Sequence, residues 1–438
     1  MTAADKPTLF FIPFPVFSHF VAAVKTAELL LERDNRLQIN VLVLKFVVKN
    51  EIADFIKKKS TNQKPAVRDA VAGALNGRES NIPAGIVVDM FCTTMADVAE
   101  EFGIPSYVYF TCGAANLGMM FHAQSLVDDL GGDLSEFEDP GRFVAVPGYK
   151  NPFPTSVTPA LILDKERRDY FLEMMRRFRR AKGILVNSFL ELEDYAIKTL
   201  SEDTKLPPVY PVGPVLQDSG EEIRLDFKEL MDWLDGQPDS SVVFLCFGTR
   251  GGGAFDDAQV KEIAAGIERS GRRFIWSLRK QSPHGPNFFP SDYETFDEIL
   301  PAGFPNGSGK VIGWAPQAAV LAHRAVGGFV SHCGWNSILE SVWFGVPVAV
   351  WPLSAEQQAN AFQLVREFET AVEIKMDYRA GGGEKVPAEK IEGAIRELMD
   401  LNNPIRLNAK ELKEKSRTTL LPNQSSSNFL AKFARDFI

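Results

Sequence analysis

Residues 314–357 read WAPQAAVLAHRAVGGFVSHCGWNSILESVWFGVPVAVWPLSAEQ, and this run decides the fold. At its middle, Gly327-Gly-Phe-Val-Ser331 has the length and apolar content of a buried strand. His332-Cys-Gly-Trp-Asn336-Ser337 then turns through a glycine into a helix-periodic stretch, Asn336–Phe344, with Asn336 and Ser337 suited to a helix start. A second apolar segment, Val346–Trp351, follows. Strand, helix and strand in this order predict a parallel sheet covered by helices. The turn between them offers free backbone N–H groups and the positive end of a helix dipole, the usual seat for phosphate in such sheets.

The same alternation extends outward. Val242–Phe247 and Arg273–Leu278 read as strands around a helix at Ala258–Ser270, and Gln357–Phe368, Ala388–Leu401 and Ser425–Ile438 read as helices. An earlier series has strands at Leu9–Phe14, Ile39–Leu44, Gly85–Val88 and Ser106–Phe110, with helices at Ala22–Glu32 and Thr94–Phe102. Between the series, Leu206-Pro-Pro-Val-Tyr-Pro-Val-Gly-Pro-Val215 carries four prolines in ten residues, which favours an extended linker over a helix or central strand. The expectation is an α/β protein of two doubly wound units, 1–205 and 223–424, joined by a linker at 206–222 and followed by a helix at 425–438. Ligands of such sheets bind at the carboxyl ends of strands, so a cleft between two units can hold two substrates.

Composition narrows the function. The 438 residues are 45% hydrophobic and 24% charged, with a net charge of −9. That is a globular composition with no overall electrostatic footprint for nucleic acid or an anionic membrane. Cys92, Cys112, Cys246 and Cys333 are far apart and form no Cys-x-x-Cys pair, so free thiols are expected rather than a metal or disulfide framework. The apolar run near the start is too short for a signal segment or a membrane span. The sequons at Asn306 and Asn423 are read as chance, and the expected setting is cytoplasmic, without membrane insertion.

Individual residues suggest chemistry. His332 can add a donor at the phosphate turn. Glu340 follows Asn336 by four positions and shares its helical face, where a carboxylate can accept from ribose hydroxyls. Trp314 offers a flat face to a base. Glu356-Gln357 pairs a carboxylate with an amide, as vicinal sugar hydroxyls require. His19 follows the first strand and suits general-base work, since its ordinary pKa lies near working pH. Asp97, early in the helix after a later strand, can orient such a histidine through its other ring nitrogen. Each piece also has a plain structural explanation: a core tryptophan, a simple turn, a solvated helix face, a helix-capping histidine, or an acidic residue favoured by a helix dipole.

Taken together, the 44-residue run resembles the signature of plant uridine-diphosphate-dependent glycosyltransferases of family 1, of the type acting on flavonoids, phenolics and terpenoid or hormone alcohols. Asp232-Trp-Leu-Asp-Gly-Gln-Pro238 leading to Ser241–Gly248, Phe274-Ile-Trp-Ser-Leu-Arg279 and Lys182-Gly-Ile-Leu-Val-Asn187-Ser188 are similar as well. The resemblance implies two facing Rossmann-like domains, the glycosyltransferase B fold. The second domain would bind UDP-glucose as co-substrate, the first a small-molecule acceptor, and the terminal helix would cross back to the first. It implies that Trp314 stacks on uracil, with Ala315 and Gln317 at the base and ribose edge, and that Glu340 takes the ribose hydroxyls. His332, Trp335, Asn336 and Ser337 would hold the diphosphate, with Thr249 reaching phosphate, and Glu356 and Gln357 the sugar. His19 and Asp97 match the catalytic pair of an inverting, metal-independent transfer by a monomer.

The chain departs from that pattern in places. Ser18 stands before His19 where glycine is usual, and the stretch from about Phe46 to Lys64 is shorter than in relatives. Arg250-Gly-Gly-Gly253 is unusually glycine-rich, and Ser354 replaces an aromatic residue. These changes keep open an alternative, a UDP-sugar-binding protein impaired in catalysis. A nicotinamide-dependent oxidoreductase would need a Gly-x-Gly-x-x-Gly turn after a strand, and neither Pro15-Val-Phe-Ser-His19 nor Gly248-Thr-Arg-Gly-Gly-Gly253 supplies it.

Overall fold

A computed structural model of the chain describes residues 6–45, 61–77, 82–216, 227–248, 255–282, 290–378 and 385–438. The first half forms a parallel sheet of β1 (Thr8–Ile12), β2 (Gln38–Val41), β3 (Ala84–Asp89), β4 (Ser106–Phe110), β5 (Ile184–Val186) and β6 (Val209–Pro211), in the order β2-β1-β3-β4-β5-β6. The second half repeats the plan with β7 (Val242–Cys246), β8 (Arg273–Ser277), β9 (Gly309–Ile312), β10 (Val326–Ser331), β11 (Val348–Val350) and β12 (Ala371–Glu373), ordered β9-β8-β7-β10-β11-β12. The glycosyltransferase B arrangement of two Rossmann-like α/β units is therefore present.

Both faces of each sheet are covered, which is why the central strands are apolar along most of their length, with polar residues such as Thr8, Asp89 and Ser331 at their ends. Successive side chains alternate between faces. Phe10, Ile12, Ile86 and Val88 enter one core, while Leu9, Phe11, Val87 and Tyr109 enter the core on the opposite face. In the second sheet, Val242, Phe244 and Cys246 point one way, and Val243 and Leu245 the other.

Strand order reverses direction between β1 and β3 in the first sheet, and between β7 and β10 in the second. At such a reversal the following helices diverge to opposite faces and leave a crevice at the strands' carboxyl ends. His19 follows β1, Asp89 ends β3, Gly248 follows β7 and His332 follows β10. Topology alone thus brings these four residues to the two crevices.

The proline-rich stretch differs from the expected linker. Val209–Pro211 is the edge strand β6: Ile184 N donates to Pro208 O at 2.9 Å and Val212 N to Val186 O at 3.0 Å. Proline is tolerated there because an edge strand needs ladder donors on one side only. Residues 217–222 of that linker lie outside the described residues. The helix carrying His19 runs from Phe17 to Arg33, so it begins before the expected Ala22 and takes His19 into its first turn.

Several contacts tie the halves. The last helix, Ser425–Phe437, lies on the first sheet: the Phe433 ring meets Tyr107 edge-on at 5.0 Å and Tyr210 at 5.3 Å, and Tyr210 Oη donates to Asp436 at 2.6 Å. Nearer the cleft, Trp335 Nε1 donates to Asn187 O at 2.7 Å. The buried Glu193 carboxylate accepts from Ala114 N at 2.7 Å, Ala115 N at 2.9 Å, Ser188 Oγ and Gln363 Nε2 at 3.1 Å. Gln363 belongs to helix Gln357–Arg366, whose Phe362 packs on Tyr149 and Phe153 of the first half.

Phe433→Ala should lower the free energy of unfolding by about 3–5 kcal/mol, the usual loss for a fully buried aromatic ring. Urea titration measures it; a loss below about 1 kcal/mol would mean that the last helix contributes little to the first sheet's stability.

Candidate active site

His19 stands in the first turn of its helix with Nδ1 2.8 Å from Asp89 Oδ2. Asp89 is buried, and its Oδ1 accepts from Phe91 N at 2.9 Å. Thr111 Oγ1 lies 3.3 Å from the same Nδ1. Phe14 and Phe91 wall the imidazole, with ring centroids 5.4 and 5.5 Å away. An ionised carboxylate only accepts, so this pairing assigns the proton to Nδ1 and leaves the lone pair on Nε2.

Asp97 is elsewhere. It sits early in helix Ala96–Glu101, beyond a 3-10 turn, and pairs with Lys64 of helix Lys64–Leu75 and Arg177 of helix Arg168–Arg180. Burial opposes its ionisation, but the hydrogen bonds from Arg177 and Lys64 outweigh it and lower the pKa. The expected contact between His19 and Asp97 is therefore replaced by one with Asp89. Eight residues separate the two aspartates in sequence, yet one closes a strand beside β1 and the other faces two surface helices. The available signal for Asp89 was a lone carboxylate ending an apolar strand. Thr111 and Cys112, just past the end of β4, had no comparable signal.

Across the cleft, β10 ends at Ser331 and the chain turns through Cys333 in the left-handed region, at φ 63°. Asn360 Nδ2 anchors the turn by donating to Cys333 O at 3.0 Å. Helix Trp335–Phe344 begins at Gly334 with no side-chain cap, and its first return bond runs from Ile338 N to Gly334 O. The N–H groups of residues 335–337 therefore have no partner from the helix itself. His332 is wedged between two glycines: a Cβ at Gly248 would stand 2.7 Å from its Nε2, and one at Gly334 2.6 Å. Burial pushes the His332 pKa down to about 4, so the ring is a neutral donor at neutral pH. His332 Nδ1 and Asn336 Oδ1 are buried polar atoms without a hydrogen-bond partner, as befits a site completed by a ligand.

The nucleotide end is a linked set. Gln317 Nε2 donates to Ser337 Oγ at 2.8 Å and to Glu340 Oε2 at 2.7 Å. Glu340 is only 5% exposed, and burial raises its pKa to about 7 against the opposing Gln317 bond. Ala315 is buried, whereas Trp314 is 41% exposed, tilted against Phe227. Ser18 and Ala22, from the helix of His19, line one crevice with Asn336 and Glu340, so the two halves face each other here.

Trp335 departs from its expected role. Its indole is buried against the first half through the bond to Asn187, which leaves only its backbone N–H at the helix start. Glu356 lies beside His19 and Cys112; burial raises its pKa, and a bond from its own backbone N–H and bonds from Asn360 and Cys112 oppose that rise. Gln357 Oε1 accepts from Leu353 N and Ser354 N, both at 2.9 Å, so its amide oxygen holds the preceding loop. Thr249 and Arg250–Gly253 lie outside the described residues. Among the described residues, no group of three or more His, Cys, Asp or Glu side chains is placed to hold a metal ion, and no helix is long and apolar enough to cross a membrane.

Residues 225–401 match the family model described as UDP-glucoronosyl and UDP-glucosyl transferase. A Fragaria ananassa protein named UDP-glucose flavonoid 3-O-glucosyltransferase 6 is 45% identical over 97% of this chain and 97% of its own length. The chain belongs to the plant UDP-glycosyltransferases. The alignment to that relative spans 469 positions, more than this glycosyltransferase has residues, so the relative carries residues with no counterpart here. An anthocyanidin 3-O-glucosyltransferase of Manihot esculenta is 50% identical over 86% of this chain and 96% of its own. Among solved structures, a Siraitia grosvenorii transferase in complex with UDP superposes with a TM-score of 0.91 at 39% identity, covering 99% of this glycosyltransferase and all of that chain. A Medicago truncatula structure complexed with UDP-glucose gives 0.85 at 35% identity, with 99% of each chain covered.

Proposed function

We propose that this glycosyltransferase moves glucose from UDP-glucose to a hydroxyl of a small plant metabolite of the flavonoid, phenolic or terpenoid class, with inversion at the anomeric carbon. The observation that carries the reading is the His19–Asp89 pair, set at one sheet's reversal point and opposite the uncapped helix start of the other. The names of the relatives and the UDP-glucose complex support the donor and the acceptor class.

His19 Nε2 takes the acceptor's hydroxyl proton while that oxygen attacks the anomeric carbon. The new carbon–oxygen bond forms on the face opposite the breaking bond to phosphate, so one displacement inverts the centre. Asp89 keeps Nδ1 protonated and stabilises the imidazolium that forms. The leaving diphosphate meets the N–H groups of residues 335–337, the neutral His332 and the helix dipole, charge stabilisation prepared before the reaction. Ser337, Gln317 and Glu340 take the ribose side, Trp314 and Ala315 the base, and Glu356 with the Gln357 NH₂ the sugar. Phe91, partly exposed beside the imidazole, gives the acceptor an aromatic wall. The reading as an impaired binding protein is not favoured, because an intact histidine–carboxylate pair faces the donor residues.

Incubation with UDP-glucose and a panel of phenolic and terpenoid acceptors should give products heavier by one hexose, with released UDP; binding without product would overturn the transfer. His19→Ala and Asp89→Asn should each lower turnover by about 10²–10⁴-fold on a weakly acidic alcohol while UDP-glucose affinity stays within about threefold. Asp97→Asn should keep turnover within about threefold, since its part-buried pairs with Lys64 and Arg177 join helices of the first half and involve neither His19 nor the donor residues; a collapse of turnover with intact folding would return Asp97 to the chemistry.

Donor binding should depend on pH through Glu340. Its raised pKa leaves it largely neutral at pH 6, and ribose hydroxyls donate best to the ionised form, so UDP-glucose affinity should rise between pH 6 and 8 around the value of about 7. Calorimetry at the two pH values measures this, and in Glu340→Gln the rise should vanish.

A further inference from the structure

The loop from Trp351 to Gln357 brings the proposed sugar-holding pair to the cleft, and its geometry is not fixed by its own residues alone. Ala355, directly before Glu356, sits in the left-handed region at φ 54°, a conformation that costs a non-glycine residue about 1–2 kcal/mol. Something must hold it. Gln357 Oε1 secures the amides of Leu353 and Ser354. The Ala355 carbonyl is held by Tyr378, five residues past β12, whose hydroxyl donates to it at 2.7 Å. The same hydroxyl accepts from Ala160 N at 3.2 Å, the first amide of helix Ala160–Leu163 in the acceptor half. Beneath it, the fully buried Gln358 accepts from Tyr378 N at 3.2 Å and donates to Thr158 O at 2.5 Å.

We infer that Tyr378 is a positioning residue: its hydroxyl bridges the sugar-holding loop to the acceptor half and so sets where Glu356 and Gln357 stand relative to His19. The inference rests on the reading that those two residues hold the sugar. The bonds of this bridge run from the sugar-holding loop to the acceptor half. Its loss therefore acts on the hexose end of the donor and on the alignment of the anomeric carbon, and leaves the UDP end alone. Because the bridge spans both halves, it also registers the sugar against the acceptor's base rather than against its own domain only.

Tyr378→Phe removes the hydroxyl and keeps the ring. Loss of two neutral hydrogen bonds should weaken UDP-glucose binding by about tenfold and reduce the preference for UDP-glucose over UDP-galactose by a similar factor, with UDP affinity within about twofold of the parent. Turnover with UDP-glucose should fall as well. Ala160→Pro is the second variant. It removes the amide that donates to the hydroxyl and sets the proline Cδ where that hydrogen pointed, so the hydroxyl is displaced as well, and it should give a comparable loss in the same direction. Thermal melting of both variants verifies folding, and calorimetry with UDP, UDP-glucose and UDP-galactose reads the effect. Parent-like UDP-glucose affinity and sugar preference in Tyr378→Phe would overturn the inference, as would an equal loss of UDP and UDP-glucose binding. A parent protein that binds UDP-glucose but forms no product would remove the transfer reading, while the affinity ratios still report on Tyr378.

Discussion

The Glu193 carboxylate, buried where the two halves meet, is the contact on which the cleft depends. It collects two backbone amides from the start of helix Ala114–Asp128, a serine hydroxyl from its own segment and an amide from Gln363 across the interface. Burial raises its pKa and those four donors work against the rise, so the group is tolerable only with its partners in place. The surroundings leave no slack. A Cβ at Gly113 would stand 2.8 Å from the Trp335 ring and 3.0 Å from Glu193 Oε1. The indole of Trp335 thus rests against the segment that Glu193 caps, and the helix start behind that indole is the proposed phosphate seat.

Each sheet delivers its functional groups by the same physical route. A parallel strand ends, the chain turns, and at the reversal of strand order the turns of two neighbouring strands are left open to a ligand. In the first sheet this gives an imidazole on a carboxylate. In the second it gives a neutral imidazole between two glycines beside uncapped amides. The contrast follows from surroundings. Asp89 offers His19 a charged partner, whereas burial without a partner on Nδ1 keeps His332 uncharged. Two histidines in comparable positions after strands are thereby suited to opposite tasks, accepting a proton and donating a hydrogen bond.

Much of this was legible in the sequence. Apolar runs such as Val242–Cys246 and Ser106–Phe110 are buried on both faces, and their hydrophobicity is a local property. Edge strands were harder: Gly309–Ile312 and Ala371–Glu373 are short and mixed in polarity, and Val209–Pro211 is disguised by its prolines. The family resemblance put Glu340 and Gln317 together at the ribose, and they do meet, with Ser337, expected at the diphosphate, bonded to Gln317 as well. Direction was not legible. Trp335 follows the phosphate turn but its ring faces the other half, and whether Asp89 or Asp97 meets His19 is settled by strand adjacency, which spacing within one segment does not encode. The left-handed turn at Cys333 was equally hidden, because the neighbouring Gly334 is the residue type that adopts such a turn at least cost.

Helix Gln357–Arg366 lies in sequence between β11 and β12 of the second sheet, yet Ala359 and Phe362 are buried in the same hydrophobic cluster as Phe10, Ile86 and Phe110 of the first. The last helix lies on the first sheet as well. Spatial units and sequence units therefore do not coincide, and this bears on how the fold can be recombined. A chimera cut between β6 and β7, with each half taken from a different parent, inherits two helices shaped for the absent parent's core. Its failures would arise from mismatched volume around Phe362 and Phe433 rather than from the donor or acceptor pockets, so exchanging acceptor preference by swapping halves calls for both helices to travel with the first sheet.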